Sequence, residues 1–135
     1  MKGMKLHHIG IVMTQPDRVQ RFMEKFDLEE DYTEYVEAYQ ADCIFMRHRE
    51  DDSAIELVVP KEGILTEYNN GKGGIHHIAF EVEDVSKVRE EFEAKGLKML
   101  EERAVKGAGD IIVNFLRPRH GEGILVEFVE KIKKM

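Results

Sequence analysis

The tripeptide His-His-Ile occurs twice in this chain, as His7-His8-Ile9 and as His76-His77-Ile78, 69 positions apart. The likeness continues downstream. Val19, Met23 and Leu28 answer Val88, Phe92 and Leu97 at the same offset. Each half also closes on a glutamate inside an apolar run: Ala54-Ile55-Glu56-Leu57-Val58 and Leu125-Val126-Glu127-Phe128-Val129, with the two glutamates 71 positions apart. A duplicated chain of 135 residues folds as two equivalent modules that share one small domain.

Periodicity gives the elements of each module. Leu6 to Met13 reads as a strand. Thr14-Gln15-Pro16-Asp17 supplies a helix start, and Val19, Phe22, Met23 and Phe26 make Pro16 to Phe26 an amphipathic helix. Asp31–Glu37, Ala41–Arg47 and Ala54–Val59 read as strands. A turn falls near Ala38–Gln40, and Pro60 ends the last strand. The second half repeats the order. A strand spans Ile75–Val82. A helix capped by Asp84 runs to about Lys95, with Val85, Val88 and Phe92 inward and Gly96 as its stop. Strands are expected over Lys98–Val105, Ile111–Leu116 and Gly123–Val129. The fold class is therefore α+β. Two βαβββ modules, residues 4–60 and 75–130, are joined by a glycine-rich linker, 61–74, within one domain spanning 1–135. Their sheets are expected to curl into one half-open cup.

The repeated histidines and glutamates carry the chemistry. Alternation along a strand sends one histidine of each pair inward and its neighbour outward. Periodicity leaves open whether His7 and His76 or His8 and His77 face in. Glu56 and Glu127 each sit among Ile, Leu, Val and Phe, where burying a lone carboxylate costs several kcal/mol. A divalent cation offsets that cost. Imidazole nitrogen with carboxylate oxygen suits Zn, Co, Ni, Fe or Mn. Two His and two Glu leave coordination positions open, as a catalytic site requires.

The net charge of −7 excludes nucleic acid and an anionic membrane surface as main partners, since both attract basic faces. Cys43 is the only cysteine, so no internal disulfide forms, and the expected compartment is the reducing cytoplasm. The first strand begins at once and no apolar run is long enough to span a bilayer, so neither a signal peptide nor a membrane anchor is expected.

At these residues the chain resembles the vicinal oxygen chelate superfamily, which includes glyoxalase I, methylmalonyl-CoA epimerase, extradiol dioxygenases and the fosfomycin and bleomycin resistance proteins. The second half looks most like methylmalonyl-CoA epimerase. The likeness lies in Gly73-Gly74-Ile75-His76-His77-Ile78-Ala79-Phe80-Glu81-Val82, Val105-Lys106-Gly107-Ala108-Gly109, Asn114-Phe115-Leu116-Arg117-Pro118 and Gly123-Ile124-Leu125-Val126-Glu127-Phe128. The family's ligand histidine directly precedes Ile-Gly or Ile-Ala. The resemblance thus implies His8, Glu56, His77 and Glu127 as the ligands of one divalent ion (Co, Ni, Zn or Mn), with Glu127 as a catalytic base. It implies an acyl-CoA epimerase, a small acyl thioester as substrate and a homodimer. In the epimerases a second carboxylate, within Glu-Gln-Gly, works on the opposite face of the substrate. Here a gap-free alignment back from Phe45 puts Ala38 at that place, with Glu37 adjacent as the candidate second base. Two other readings within the superfamily are a glyoxalase I-like lactoylglutathione lyase acting on a hemithioacetal, and a non-catalytic protein that sequesters a drug-like ligand.

His48 and His120 near strand ends, and Arg47, Arg103, Arg117 and Arg119, read as solvated turn residues. Lys106-Gly107-Ala108-Gly109 resembles a loop near the epimerase active site. Cys43 reads as core packing. Lys131 to Lys134 reads as a solvated end.

Overall fold

The computed structural model describes residues 2–132. Strand β1 (Lys5–Val12) alternates in burial, with His8, Gly10 and Val12 buried and the residues between them half-exposed. Pro16 at the first helical position starts α1 (Pro16–Lys25). Next come β2 (Glu30–Val36), a 3-10 turn over Glu37–Tyr39, β3 (Ala41–Met46) and β4 (Ala54–Pro60). The second half gives β5 (Gly74–Glu81), α2 (Val85–Ala94), β6 (Val105–Lys106), β7 (Ile111–Leu116) and β8 (Val126–Lys131). No helix among the described residues is long and apolar enough to cross a membrane.

The chain divides into two compact units. One is His8–His76. In the other, the residues before His8 group with those from His77 onward. In the first unit the strand order is β2-β3-β4-β1, with β1 and β4 parallel and β2, β3 and β4 antiparallel. In the second the order is β5-β8-β7-β6, with β5 and β8 parallel and the rest antiparallel. The βαβββ order is thus present in both halves with the same pairing.

The stretch 61–74 is folded onto the first unit. It holds a 3-10 turn, Ile64–Glu67. Thr14 Oγ1 donates to the Gly71 carbonyl at 2.6 Å. Gly73 has φ +73°, and a Cβ there would lie 2.4 Å from the Val12 carbonyl oxygen, so only glycine lets this turn approach the strand.

The two helices pack differently. The Asp84 side chain accepts hydrogen bonds from the amides of Ser86 and Lys87 at the start of α2. Val85 and Val88 are buried against Met99, Leu116 and Phe128, with Phe92 and Leu97 alongside. In contrast, α1 buries no residue. Phe26, expected on its inner face, lies one residue past the last turn. It rests on Phe22 at 5.0 Å between ring centroids and stays exposed. Replacing the α2 cap, Asp84→Ala, is expected to lower stability by about 1 kcal/mol, read as a shift of the urea midpoint at constant slope. A change under a few tenths would mean the cap contributes nothing.

Two expected strands are shorter than their hydropathy implied. Lys98–Val105 forms only a single bridge, Met99 to Leu116, and then β6 at its far end. The reason is Asn114, which is buried. Its Oδ1 accepts from the Glu101 amide at 3.1 Å and its Nδ2 donates to the Glu101 carbonyl at 2.9 Å. A side-chain amide thus takes the place of ladder bonds, and the segment bends away. Strand β8 starts at Val126 rather than Gly123 because Glu122 and Gly123 adopt left-handed φ values of 59° and 86°. Their turn is closed by the Gly123 amide donating to the Pro118 carbonyl at 2.8 Å.

Candidate metal centre

Residues directly opposite each other in a sheet share a face, and so do alternate residues along a strand. In the first unit Gly10 of β1 and Phe45 of β3 both lie opposite Glu56 of β4. His8, Glu56 and Phe45 therefore project from one face. His8 Nε2 lies 3.4 Å from Glu56 Oε1. The Phe45 ring meets the imidazole edge-on at 5.1 Å, and Tyr32 stacks on Phe45 at 5.1 Å.

The second unit repeats this arrangement. Ala79 of β5 and Phe115 of β7 both lie opposite Glu127 of β8. His77 Nε2 lies 3.3 Å from Glu127 Oε1, and Phe115 meets the His77 ring edge-on at 5.5 Å. The offsets of 69 and 71 leave the register intact. Phe45 precedes Glu56 by eleven residues and Phe115 precedes Glu127 by twelve, so part of the slip lies in a turn, outside the ladder.

Burial settles which histidine of each pair joins its glutamate. His8 and His77 are 1% and 3% exposed, and Glu56 and Glu127 are 3% and 2% exposed. His7 and His76 are half-buried on the opposite faces, and His76 packs edge-on to Tyr68 at 4.9 Å.

The pair distances bear on what the donors fit. A charge-assisted N–H···O bond sits at about 2.7–2.9 Å. Two donor atoms each about 2.1 Å from a single ion are separated by about 3.0–3.4 Å along an edge of an octahedron or tetrahedron. The 3.4 and 3.3 Å separations lie in the second range. Buried imidazole nitrogen with buried carboxylate oxygen is also the donor chemistry of borderline divalent ions. Each pair thus fits two adjacent positions around a metal.

Residues 7–115 match the family model described as the glyoxalase/bleomycin resistance protein/dioxygenase superfamily. The chain belongs to this superfamily. Two curated relatives are epimerases. One is the mitochondrial methylmalonyl-CoA epimerase of Dictyostelium discoideum, 37% identical over 62 residues, or 46% of this chain and 37% of the relative. The other is the ethylmalonyl-CoA/methylmalonyl-CoA epimerase of Cereibacter sphaeroides, 42% identical over 59 residues, or 43% of this chain and 44% of the relative. The chain thus spans less than half the length of the curated relatives it matches. Among solved structures, a variant of the Streptomyces coelicolor methylmalonyl-CoA epimerase in complex with 2-nitronate-propionyl-CoA is similar at TM-score 0.83 and 25% identity, covering 96% of this chain and 98% of that one.

Other residues of this superfamily member fall outside the two pairs. Residue type and spacing alone do not single out Phe45 and Phe115. The only signal they leave is a single aromatic ring in the third apolar strand of each half. Cys43 is fully buried. His48 Nδ1 lies 3.3 Å from the Met46 carbonyl oxygen, and Arg47 Nε lies 3.8 Å from Glu29 Oε2. Arg117 Nε donates to the Met99 carbonyl at 3.4 Å, and His120 ends a 3-10 turn, Pro118–His120. Lys106 Nζ donates to the carbonyls of Gly107 and Gly109 and so closes its own loop. Lys131 Nζ pairs with Glu81 Oε1 at 3.5 Å, while Lys133 and Lys134 lie outside the described residues.

Glu37 is exposed on the 3-10 turn rather than in a strand. Its charge acts on Tyr35. Partial burial, then Glu37, Glu62 and Asp42, push the Tyr35 hydroxyl above its ordinary value. Tyr35 lies opposite Asp42, one residue out of phase with Tyr32 and Phe45.

Proposed function

We propose that this chain is a metal-dependent acyl-CoA epimerase of the methylmalonyl-CoA type, with His8, Glu56, His77 and Glu127 holding one divalent ion. The observation that carries the reading is the duplicated His–Glu pair at ligand-edge distance, each buried beneath an edge-on phenylalanine. The epimerase relatives supply the substrate class: a small 2-substituted malonyl thioester.

When bound, a Co, Ni, Zn or Mn ion would act as a Lewis acid toward negative charge developing on a substrate oxygen. The chain's own groups do the rest. Glu127 takes the proton from the carbon between the two carbonyls: the C–H bond breaks, an O–H bond forms, and the electron pair moves onto the thioester oxygen. Phe45, Phe115 and Tyr32 surround the histidines with apolar surface, which excludes water from a carbanion-like species. Return of a proton to the other face completes the epimerisation.

The test is incubation of the metal-loaded protein with (2S)-methylmalonyl-CoA in deuterated water. The expected result is deuterium at the α-carbon and appearance of the (2R) epimer. Absence of exchange with each of Co, Mn, Ni and Zn would overturn the reading.

A further inference from the structure

The two modules differ in how their helices are used. In the second, Val85 and Val88 of α2 are buried with Met99, Leu116 and Phe128. In the first, α1 buries no residue, Ile11 stays half-exposed and Phe26 is 57% exposed. A cavity of about 520 Å³, bounded by β1, α1 and residues 72–74, lies there within the first unit. Small-molecule sites span about 300–1,000 Å³. Ile11, Met13, Phe22 and Phe26 give the cavity its apolar lining. By alternation along β1, Ile11 belongs to the face turned away from His8.

The charge of this cavity is one-sided. Arg18, Arg21, Lys25 and Lys72 line it, and none of its lining residues is acidic, in a chain of net charge −7. Arg18, Arg21, Phe22, Lys25 and Phe26 recur at three- and four-residue spacing, so cations and rings share one side of α1. Lys72 belongs to a stretch pinned to the end of β1 on either side of it. Thr14 holds the Gly71 carbonyl at 2.6 Å, and Gly73 abuts the Val12 carbonyl. Of the four cations, only Arg21 has an ion pair among the described residues, to Asp17 of its own helix at 3.0 Å. The module does not require this pattern. At the repeat offset of 69, Arg21, Phe22, Lys25 and Phe26 answer Glu90, Glu91, Ala94 and Lys95.

The lining also selects among anions. It contains no Ser, Thr, Asn or Gln, so no side-chain hydroxyl or amide is there to read a sugar or a base edge. A guanidinium fork matches a carboxylate with paired N–H donors, and the rings and aliphatic side chains cover an apolar body. A second copy is a poor occupant, because a twofold contact brings the same four cations to both sides. We propose that this cavity binds an amphipathic carboxylate, an aliphatic chain ending in one acid group, at a site separate from the metal centre. The proposal stands independently of the epimerase reading.

The experiment titrates octanoate, below its micellar concentration, into the intact protein with and without chelator. Calorimetry and backbone-amide NMR follow the binding. Saturable binding at one site is expected, unchanged by chelator, with the shifted amides in α1 and residues 71–74. A ligand that binds only the folded chain also raises its melting temperature. The charge-reversed variant Arg18→Glu/Lys72→Glu should weaken binding by about tenfold or more, as loss of a charge-assisted hydrogen bond does, while its ligand-free melting temperature stays near that of the parent. Phe26→Ser should weaken binding too, and octan-1-ol should bind at least about tenfold more weakly than octanoate. Affinity of the charge-reversed variant within about threefold of the parent would overturn the proposal. So would equal binding of the alcohol, or binding abolished by chelator, which places the carboxylate at the metal centre. Two further results overturn it: capture by vesicles of phosphatidylcholine and phosphatidylglycerol without saturable octanoate binding, which marks a membrane-facing surface, and a dimer that Phe26→Ser converts to monomer.

Discussion

Glu127→Ala is expected to emerge from metal-containing medium with its metal content lost and with α-proton exchange down by at least about 10³-fold. The size follows from the two roles proposed for one carboxylate, since loss of a general base alone gives about 10²- to 10⁴-fold. A thermal measurement separates the ligand role from the base role. An ion that binds only the folded chain stabilises it by about 2.7 kcal/mol at a free concentration one hundred times its Kd. For a chain of this size that is a melting shift of about 10 °C. Chelation should therefore lower the melting temperature of the parent protein and leave that of Glu127→Ala unmoved. Glu127→Gln, which preserves volume, should behave like the alanine variant. Equal metal content in parent and variant, with equal response to chelator, would remove Glu127 from the ligand set.

The second large effect concerns Phe45→Ala, with an expected cost of about 3–5 kcal/mol in folding stability. Phe45 is 2% exposed and supports three parts of the first unit at once. It lies opposite Glu56 in the ladder, it meets the His8 ring edge-on and it carries Tyr32 on its other side. Truncation leaves a cavity at the level of the histidine and glutamate pair. The side chains that hold His8 in orientation are lost with it, so metal affinity should also fall by about 10- to 100-fold, as it does when outer-shell partners of ligands are removed. Urea unfolding reads the first effect as a drop in midpoint at unchanged slope, and metal titration reads the second. A loss under about 1 kcal/mol would mean that the ring is not packed as described.

Much of this centre is legible in the sequence. The His-His-Ile repeat announced two modules, and the lone glutamates in apolar runs marked the other half of each pair. Hydropathy also located α2, because Asp84 caps it by a local hydrogen bond that needs only its neighbours in sequence. Elsewhere non-local bonding overrides hydropathy. The run from Lys98 looks like a strand until Asn114, thirteen residues beyond Glu101, takes its amide and carbonyl. Phe26 looks like part of a helix face until the helix ends one residue before it.

By itself the sequence determined the duplicated βαβββ order and the two His–Glu pairs, since both rest on residue type and short-range periodicity. Only the tertiary structure decided which histidine of each pair is buried with its glutamate and which rings stand over them. Those outcomes are set by strand register, and register comes from hydrogen bonds between residues distant in the chain.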